Sequence, residues 1–244
     1  MSASGMSAGR VGTPTAADFL ARNRGGGLFT ETVNQRLASY VCVAAYRRDI
    51  APTTLTLLNL VLGLGTSVGV AFLAPRMRAG TVPAVLVGLV ALLLWQAAYT
   101  LDCADGQLAR LSGRASPAGG RVDVLCDVAS QISLVAAVSA VAAAYHHVPG
   151  WLAAAFAGTW MVNLVTSVMA QGPAAQSLLP SRSPLVRVVK LVRDYGAVVT
   201  VLALTIAFVP QWTIWIMVAF TLVNGLFLIP SIGAAARASL AGEG

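Results

Sequence analysis

Six apolar segments dominate the sequence, near residues 53–74, 82–101, 120–145, 151–170, 188–209 and 212–233. Each is close to the ~20 residues that an α-helix needs to cross a bilayer. Only 10% of the residues are charged, whereas a soluble domain carries about 25%. We therefore predict an all-α, polytopic membrane protein with six transmembrane helices, and the short connections leave little room for a separate soluble domain.

The arginines indicate the topology. With the N-terminus inside, every arginine in a connecting segment faces the cytoplasm except Arg76 and Arg78, as the positive-inside rule requires. Both termini are then cytoplasmic in a cell membrane. The net charge of +7 is thereby explained without nucleic acid, because the basic residues are not interleaved with aromatic residues on one soluble face.

The N-terminal region divides into two parts. Residues 1–28 are rich in small and polar residues and are predicted to be a disordered lead, and the membrane domain then covers residues 29–244. No apolar stretch precedes residue 50, so we expect no cleaved signal peptide. Apolar residues then recur at helical spacing, which predicts an amphipathic juxtamembrane helix at the cytoplasmic interface or, alternatively, a soluble helix packed on the loops: Phe29, Val33, Leu37, Tyr40, Val41, Ala44 and Ala45.

Four of the nine acidic residues lie at the junction of the second and third spans. Nothing interrupts the second helix before about Ser112, so Asp102 and Asp105 share a face at spacing i,i+3. The third helix is predicted to begin near Gly119, which places Asp123 and Asp127 on one face at spacing i,i+4. A carboxylate at membrane depth costs about 3 kcal/mol, so such groups usually serve a function.

The chemistry of this hairpin indicates a divalent metal and a phosphate. Four neighbouring carboxylates raise each other's pKa, and hard divalent cations relieve this repulsion because they take oxygen ligands. Gly106, Ala109 and Gly119 have almost no side chain and leave room for a phosphate-bearing group. Carboxylates, metal and phosphate together suggest phosphoryl-group transfer.

The residues also carry a family resemblance. The pattern D-x2-D-G-x2-A-R-x8-G-x3-D-x3-D is the signature of the CDP-alcohol phosphotransferases, and the chain keeps every spacing of it from Asp102 to Asp127. The wider resemblance covers roughly residues 29–235. It implies transfer of a substituted phosphate, in phospholipid biosynthesis, from a CDP-alcohol such as CDP-diacylglycerol to an acceptor hydroxyl with release of CMP. Membrane lipids surround such enzymes, which are commonly homodimers that use Mg²⁺ or Mn²⁺, here expected as two ions.

The resemblance also implies roles for individual residues. Asp127 looks like the general base. The metal ligands would be Asp102, Asp105, Asp123 and Asp127. The nucleotide would bind at Asp102, Asp105, Gly106, Ala109, Arg110 and Gly119.

The acceptor alcohol is not fixed by the resemblance. The chain has Thr53 where several members have asparagine after the proline that opens the first span, and Val128 where glycerol- and inositol-phosphate enzymes often have a basic residue. One candidate acceptor is a phosphorylated polyol such as inositol phosphate or glycerol phosphate. Five basic residues are candidates for binding its phosphate: Arg114, Arg121, Arg187, Lys190 and Arg193. The alternative is that these charges meet anionic headgroups.

Two further interpretations stay open. Asp194, at the start of the fifth span, is predicted to pair with Arg193 or Lys190, and a catalytic role is the alternative. The chain as a whole could instead be a divalent-cation transporter with an acidic ion site. Against this, the acidic residues cluster at one membrane edge and the spans beyond them are nearly free of ionisable groups.

Overall fold

The computed structural model describes residues 13–23, 26–169 and 194–242, and every regular element in these ranges is helical. A π-helical turn, Thr30–Asn34, leads directly into α2. A 3₁₀ turn, Pro210–Trp212, precedes α8. The α-helices are α1 (Ala16–Leu20), α2 (Gln35–Arg47), α3 (Pro52–Arg78), α4 (Ala84–Leu111), α5 (Pro117–Tyr145), α6 (Gly150–Met169), α7 (Tyr195–Phe208) and α8 (Thr213–Gly242).

Within the described residues, four helical segments are long and apolar enough to cross a bilayer: Pro52–Arg78, Ala84–Leu111, Pro117–Tyr145 and Pro210–Ile229. Two shorter apolar helices, Gly150–Val162 and Tyr195–Phe208, lie where the fourth and fifth spans were predicted. The all-helical, membrane-embedded architecture is confirmed, while the count of six spans stays a prediction.

The N-terminal lead differs from its prediction in the part that the structure describes. Residues 16–20 form α1, and a capping box between Thr15 and Asp18 begins this helix. Because the Asp18 carboxylate accepts hydrogen bonds from the backbone and side chain of Thr15, its pKa lies below the usual value. Phe19 of α1 is fully buried and packs in a cluster with Cys42 of α2. A short helix with one buried aromatic anchor therefore interrupts the segment predicted to be disordered.

The juxtamembrane helix exists, and the structure shows which of its faces packs on protein. The face against α4 is mostly polar or small, and its members are at most 8% exposed: Thr30, Asn34, Gln35, Ala38, Ser39, Cys42 and Ala45. Leu28, Val33, Leu37 and Tyr40 are exposed on the other side. An exposed apolar face of this kind is what a helix at a membrane interface presents to lipid.

Cys42 is one of three buried free cysteines in the chain. Its Sγ donates a hydrogen bond to the carbonyl oxygen of Ala104 at 3.1 Å. Burial raises the pKa of the thiol to about 12, so the group stays neutral and packs as a small residue.

The bundle packs α4 between α3 and α7, and α5 against α3. Gly88 of α4 meets α7 so closely that a Cβ there would collide with the backbone of Ala207. On the far side, α6 and α8 share an aromatic contact in which Trp160 stacks on Phe220 at 4.6 Å between ring centroids. Trp160 Nε1 also donates to Gln131 Oε1 of α5 at 2.9 Å. Gln131 therefore makes an interhelical hydrogen bond, as polar groups inside spans usually do.

Candidate active site

The turn between α4 and α5 brings the acidic residues together. The second predicted span does continue as a helix to Leu111. Gly113 then adopts a left-handed conformation with φ +70°, which glycine takes without a steric penalty. Ser116 caps α5 by accepting a hydrogen bond from the Gly119 amide at 3.0 Å, and Pro117 occupies the first turn, where its missing N–H costs nothing.

Three of the four aspartates converge. Asp102, Asp105 and Asp123 each offer a carboxylate oxygen, and these three oxygens lie within 4.8 Å of one another. Asp105 is buried, and the other two are half-buried. Asp127 lies outside this group of three, but its side chain contacts that of Asp102. The predicted meeting of two acidic pairs across the hairpin is therefore what the structure shows.

This arrangement fits a hard divalent cation. Three oxygen ligands from Asp102, Asp105 and Asp123 are the donor type that Mg²⁺ and Mn²⁺ prefer. Arg110 lies within electrostatic range of Asp123, yet a single guanidinium cannot balance the whole cluster. Like charges at this separation oppose one another unless a cation lies between them.

Two residues of α3 hold the aspartates, and sequence reasoning missed their role. Thr56 donates a hydrogen bond to Asp105 Oδ2 at 2.5 Å, and Asn59 Nδ2 donates to Asp102 Oδ1 at 3.1 Å. Both side chains are buried. Their signal in the sequence is two polar residues at spacing i,i+3 near the start of a largely apolar helix, which places them on one face.

Arg110 and Gly106 lie next to each other on α4. A Cβ on Gly106 would be 2.9 Å from Nη1 of Arg110, so the missing side chain of Gly106 leaves space for the guanidinium. Arg110 Nε donates to the carbonyl oxygen of Arg22 at 2.7 Å. Around Gly119, the Ser116 hydroxyl at 3.2 Å is the one close neighbour that a Cβ would meet among the described residues. Ala109 is half-buried one turn beyond Asp105.

The residues predicted for the acceptor phosphate are only partly within the described structure. Arg114 forms an ion pair with Asp49, at a cavity of about 290 Å³ that Tyr46 and Ser112 also line. Arg121 is exposed on the first turns of α5. Arg187, Lys190 and Arg193 lie outside the described residues.

Asp194 has hydrogen-bond partners that the sequence did not predict. It is buried, and its carboxylate accepts hydrogen bonds from the backbone amides of Phe29 and Thr30 and from the Thr30 hydroxyl. Lys190 and Arg193, its predicted partners, are not among the described residues.

The comparison with known families agrees with this geometry. The sequence model of the family described as CDP-alcohol phosphatidyltransferase matches residues 49–223. The matched range contains Thr56, Asn59 and all four clustered aspartates. No curated protein matches the chain. Because the family match covers most of the chain and includes the whole acidic hairpin, the protein belongs to the CDP-alcohol phosphatidyltransferase family.

Proposed function

We propose that the protein is an integral-membrane enzyme of phospholipid biosynthesis that transfers a phosphatidyl group from CDP-diacylglycerol to an acceptor hydroxyl and releases CMP. The acceptor in this proposal is a phosphorylated polyol, either inositol phosphate or glycerol phosphate. The enzyme uses two divalent ions, Mg²⁺ or Mn²⁺. It acts as a homodimer, with its active site and both termini on the cytoplasmic side. The distribution of arginines between the connecting segments supports this placement.

The observation that carries the proposal is the triad of carboxylate oxygens within 4.8 Å at the α4–α5 hairpin. Such a cluster has the oxygen donors that a hard divalent cation prefers, and the signature that surrounds it belongs to a family that acts on CDP-alcohols. Thr56 and Asn59 support the role by fixing two of the carboxylates before any ligand binds, so that less ordering is needed on binding.

The reaction assigns separate tasks to the four aspartates. Asp102, Asp105 and Asp123 would hold the metal, with Asp127 as a further ligand, and the bound metal would supply positive charge to offset that of the diphosphate. Asp127 accepts the proton of the acceptor hydroxyl as the general base. The acceptor oxygen then bonds to the phosphorus that carries the diacylglycerol, and the bond from that phosphorus to the bridging oxygen breaks. CMP leaves with the bridging oxygen.

The nucleotide is proposed to bind beside the same hairpin. Gly106, Ala109 and Gly119 leave the backbone of the hairpin accessible to the nucleotide, and Asp102 and Asp105 contribute to the nucleotide site. Arg110 lies within electrostatic range of Asp123, and its guanidinium suits the diphosphate because it can donate two parallel hydrogen bonds.

A direct assay tests this function. The purified full-length protein is given Mg²⁺ and CDP-diacylglycerol, and CMP release is measured after the addition of inositol phosphate, glycerol 3-phosphate, inositol, serine or phosphatidylglycerol, one at a time. Acceptor-dependent CMP release with a phosphorylated polyol is the expected result. Release only with an unphosphorylated acceptor would correct the acceptor class. Absence of CMP release, together with metal uptake by proteoliposomes, would replace the proposal with a cation transporter.

A further inference from the structure

Asp194 connects two helices that are far apart in the sequence. It precedes the first residue of α7 and is 2% exposed. Its Oδ2 accepts hydrogen bonds from the amides of Phe29 at 2.7 Å and Thr30 at 3.1 Å. Its Oδ1 accepts from the Thr30 hydroxyl at 2.5 Å. Three donors of the juxtamembrane segment thus converge on one buried carboxylate.

Through this contact, a side chain at the start of α7 caps the N-terminus of the juxtamembrane helix. The first amides of a helix have no partner within it, and a negative charge near them is favourable because of the helix dipole. The side chain of Asp194 does not cap its own helix α7 and serves the juxtamembrane helix instead. A buried carboxylate is costly unless it is hydrogen-bonded in this way.

The same carboxylate fixes the direction of a hydrogen-bond chain that leads towards the acidic hairpin. The Thr30 hydroxyl has a single hydrogen, which it donates to Asp194. In its contact with Tyr99 Oη at 3.2 Å, Thr30 must therefore accept and Tyr99 must donate. Tyr99 lies three residues before Asp102 on α4, on the same face of the helix. The hydrogen-bond chain thus runs from Asp194 to the turn of α4 that carries Asp102.

Tyr99 also contacts the first residue of α7. Its ring meets that of Tyr195 edge to face, at 4.8 Å between centroids and with an interplanar angle of 67°. Tyr195 lies within electrostatic range of Asp127 and Asp102. The two tyrosines therefore link α7 to the turn of α4 that carries Asp102, whereas Thr56 and Asn59 hold the aspartates from α3.

A second bridge, one helical turn along the juxtamembrane helix, joins the same three segments. Asn34 Nδ2 donates to Gln96 Oε1 at 2.8 Å. Gln96 Nε2 donates to the Gly196 carbonyl at 2.8 Å and to Thr200 Oγ1 at 2.7 Å. Two successive layers of hydrogen bonds therefore hold α4 to the juxtamembrane helix and α7.

We propose that Asp194 is a positioning residue for the transfer reaction: through Thr30 and Tyr99 it fixes the turn of α4 that carries Asp102, together with Tyr195, which packs on Tyr99. The inference rests on the proposed metal site at the aspartates. Residues that orient metal ligands from outside change metal affinity about 10- to 100-fold when mutated. Metal affinity therefore reports on this role separately from turnover.

The test uses the full-length protein in nanodiscs and three conservative variants: Thr30→Val, Tyr99→Phe and Asp194→Asn. Thr32→Val is the matched control, because the Thr32 hydroxyl is on the same helix but bonds locally, to the carbonyls of Leu28 at 2.7 Å and Phe29 at 3.2 Å. Mn²⁺ binding is measured by electron paramagnetic resonance, and hydrogen exchange is followed for residues 99–105 and 28–47. Monodisperse elution in size-exclusion chromatography shows which variants fold. If Asp194→Asn does not fold, Thr30→Val and Tyr99→Phe still decide the test.

The expected result is Mn²⁺ binding about tenfold weaker in the three variants, with faster exchange at residues 99–105 and no change in Thr32→Val. The double variant Thr30→Val/Asp194→Asn is expected to bind Mn²⁺ no more weakly than the weaker-binding of the two single variants, because both changes break the same chain of hydrogen bonds. Faster exchange confined to residues 28–47, with wild-type Mn²⁺ affinity, would overturn the inference and leave Asp194 a purely structural cap. If the wild-type protein binds no Mn²⁺, the proposed metal site is refuted, and exchange at residues 99–105 alone decides on the link.

Discussion

Thr56 of α3 donates a 2.5 Å hydrogen bond to Asp105 of α4, and both side chains are buried. This contact ties the first span to the acidic hairpin. A carboxylate that must bind metal has to keep one orientation, and a fixed hydroxyl donor enforces this without adding charge. Asn59 does the same for Asp102 one turn further along α3.

Thr56→Val should weaken metal activation. The substitution keeps the volume and removes the donor, so we expect the Mg²⁺ concentration for half-maximal CMP release to rise about 10- to 100-fold. Thr54→Val is the matched control, since Thr54 is exposed on the same helix. An unchanged Mg²⁺ dependence in Thr56→Val would show that the hydrogen bond does not orient the ligand.

Asp127→Asn should separate proton transfer from binding. The amide cannot accept the proton of the acceptor, and a positioned general base typically contributes 10²- to 10⁴-fold, so kcat should fall by about that factor. Binding of CDP and Mn²⁺, measured by calorimetry, should stay close to the wild-type value because Asp102, Asp105 and Asp123 remain. Asp18→Asn, at an exposed aspartate of α1, is the control.

Wild-type CMP release by Asp127→Asn would remove the general-base role. Loss of Mn²⁺ binding in the same variant would instead make Asp127 an essential metal ligand.

The acidic hairpin could be predicted from the sequence because its information is local. Helical periodicity alone places Asp102 with Asp105 and Asp123 with Asp127, and the turn between them is short. The helix ends confirm this, with α4 ending at Leu111 and α5 beginning at Pro117. Apolar length likewise indicated the membrane-embedded helices.

Contacts between distant segments could not be predicted in this way. Asp194 lies 164 residues from Thr30, and its sequence neighbours Lys190 and Arg193 looked like obvious ionic partners. The juxtamembrane helix shows the same difficulty: its apolar stripe fitted both a helix at the membrane interface and a helix packed on the loops. In the structure Asn34 and Gln35 are buried while Leu37 is exposed. In a bilayer both lipid and protein accept apolar side chains, so polarity does not tell which face packs on protein.

Phe156→Ala should destabilise the fold without altering the chemistry. Phe156 is fully buried and contacts the rings of Trp160 and Phe220, each at 5.6 Å between centroids. Truncating a buried phenylalanine costs about 3–5 kcal/mol, through lost contacts and the cavity that remains. Phe208→Ala is the matched control, because Phe208 is 61% exposed.

Reversible unfolding in mixed micelles measures the free energy of unfolding of both variants. We expect the free energy of unfolding to fall in Phe156→Ala and not in Phe208→Ala, with kcat unchanged in both variants below the melting temperature. Equal losses in the two variants would contradict the proposed packing of α6 on α8.

Arg114 offers a test of the acceptor site, because Asp49 competes for its charge. If Arg114 binds a phosphate on the acceptor, Arg114→Gln should raise KM for the phosphorylated acceptor and leave KM for CDP-diacylglycerol unchanged. Asp49→Asn should lower KM for the phosphorylated acceptor, since it removes the carboxylate that pairs with Arg114. Asparagine tolerates the left-handed backbone at this position. Arg48→Gln, at an exposed neighbouring arginine, is the control for net charge. Equal changes in Arg114→Gln and Arg48→Gln would mean that these arginines act through the surface potential of the membrane, because only a defined phosphate contact distinguishes one arginine from the other.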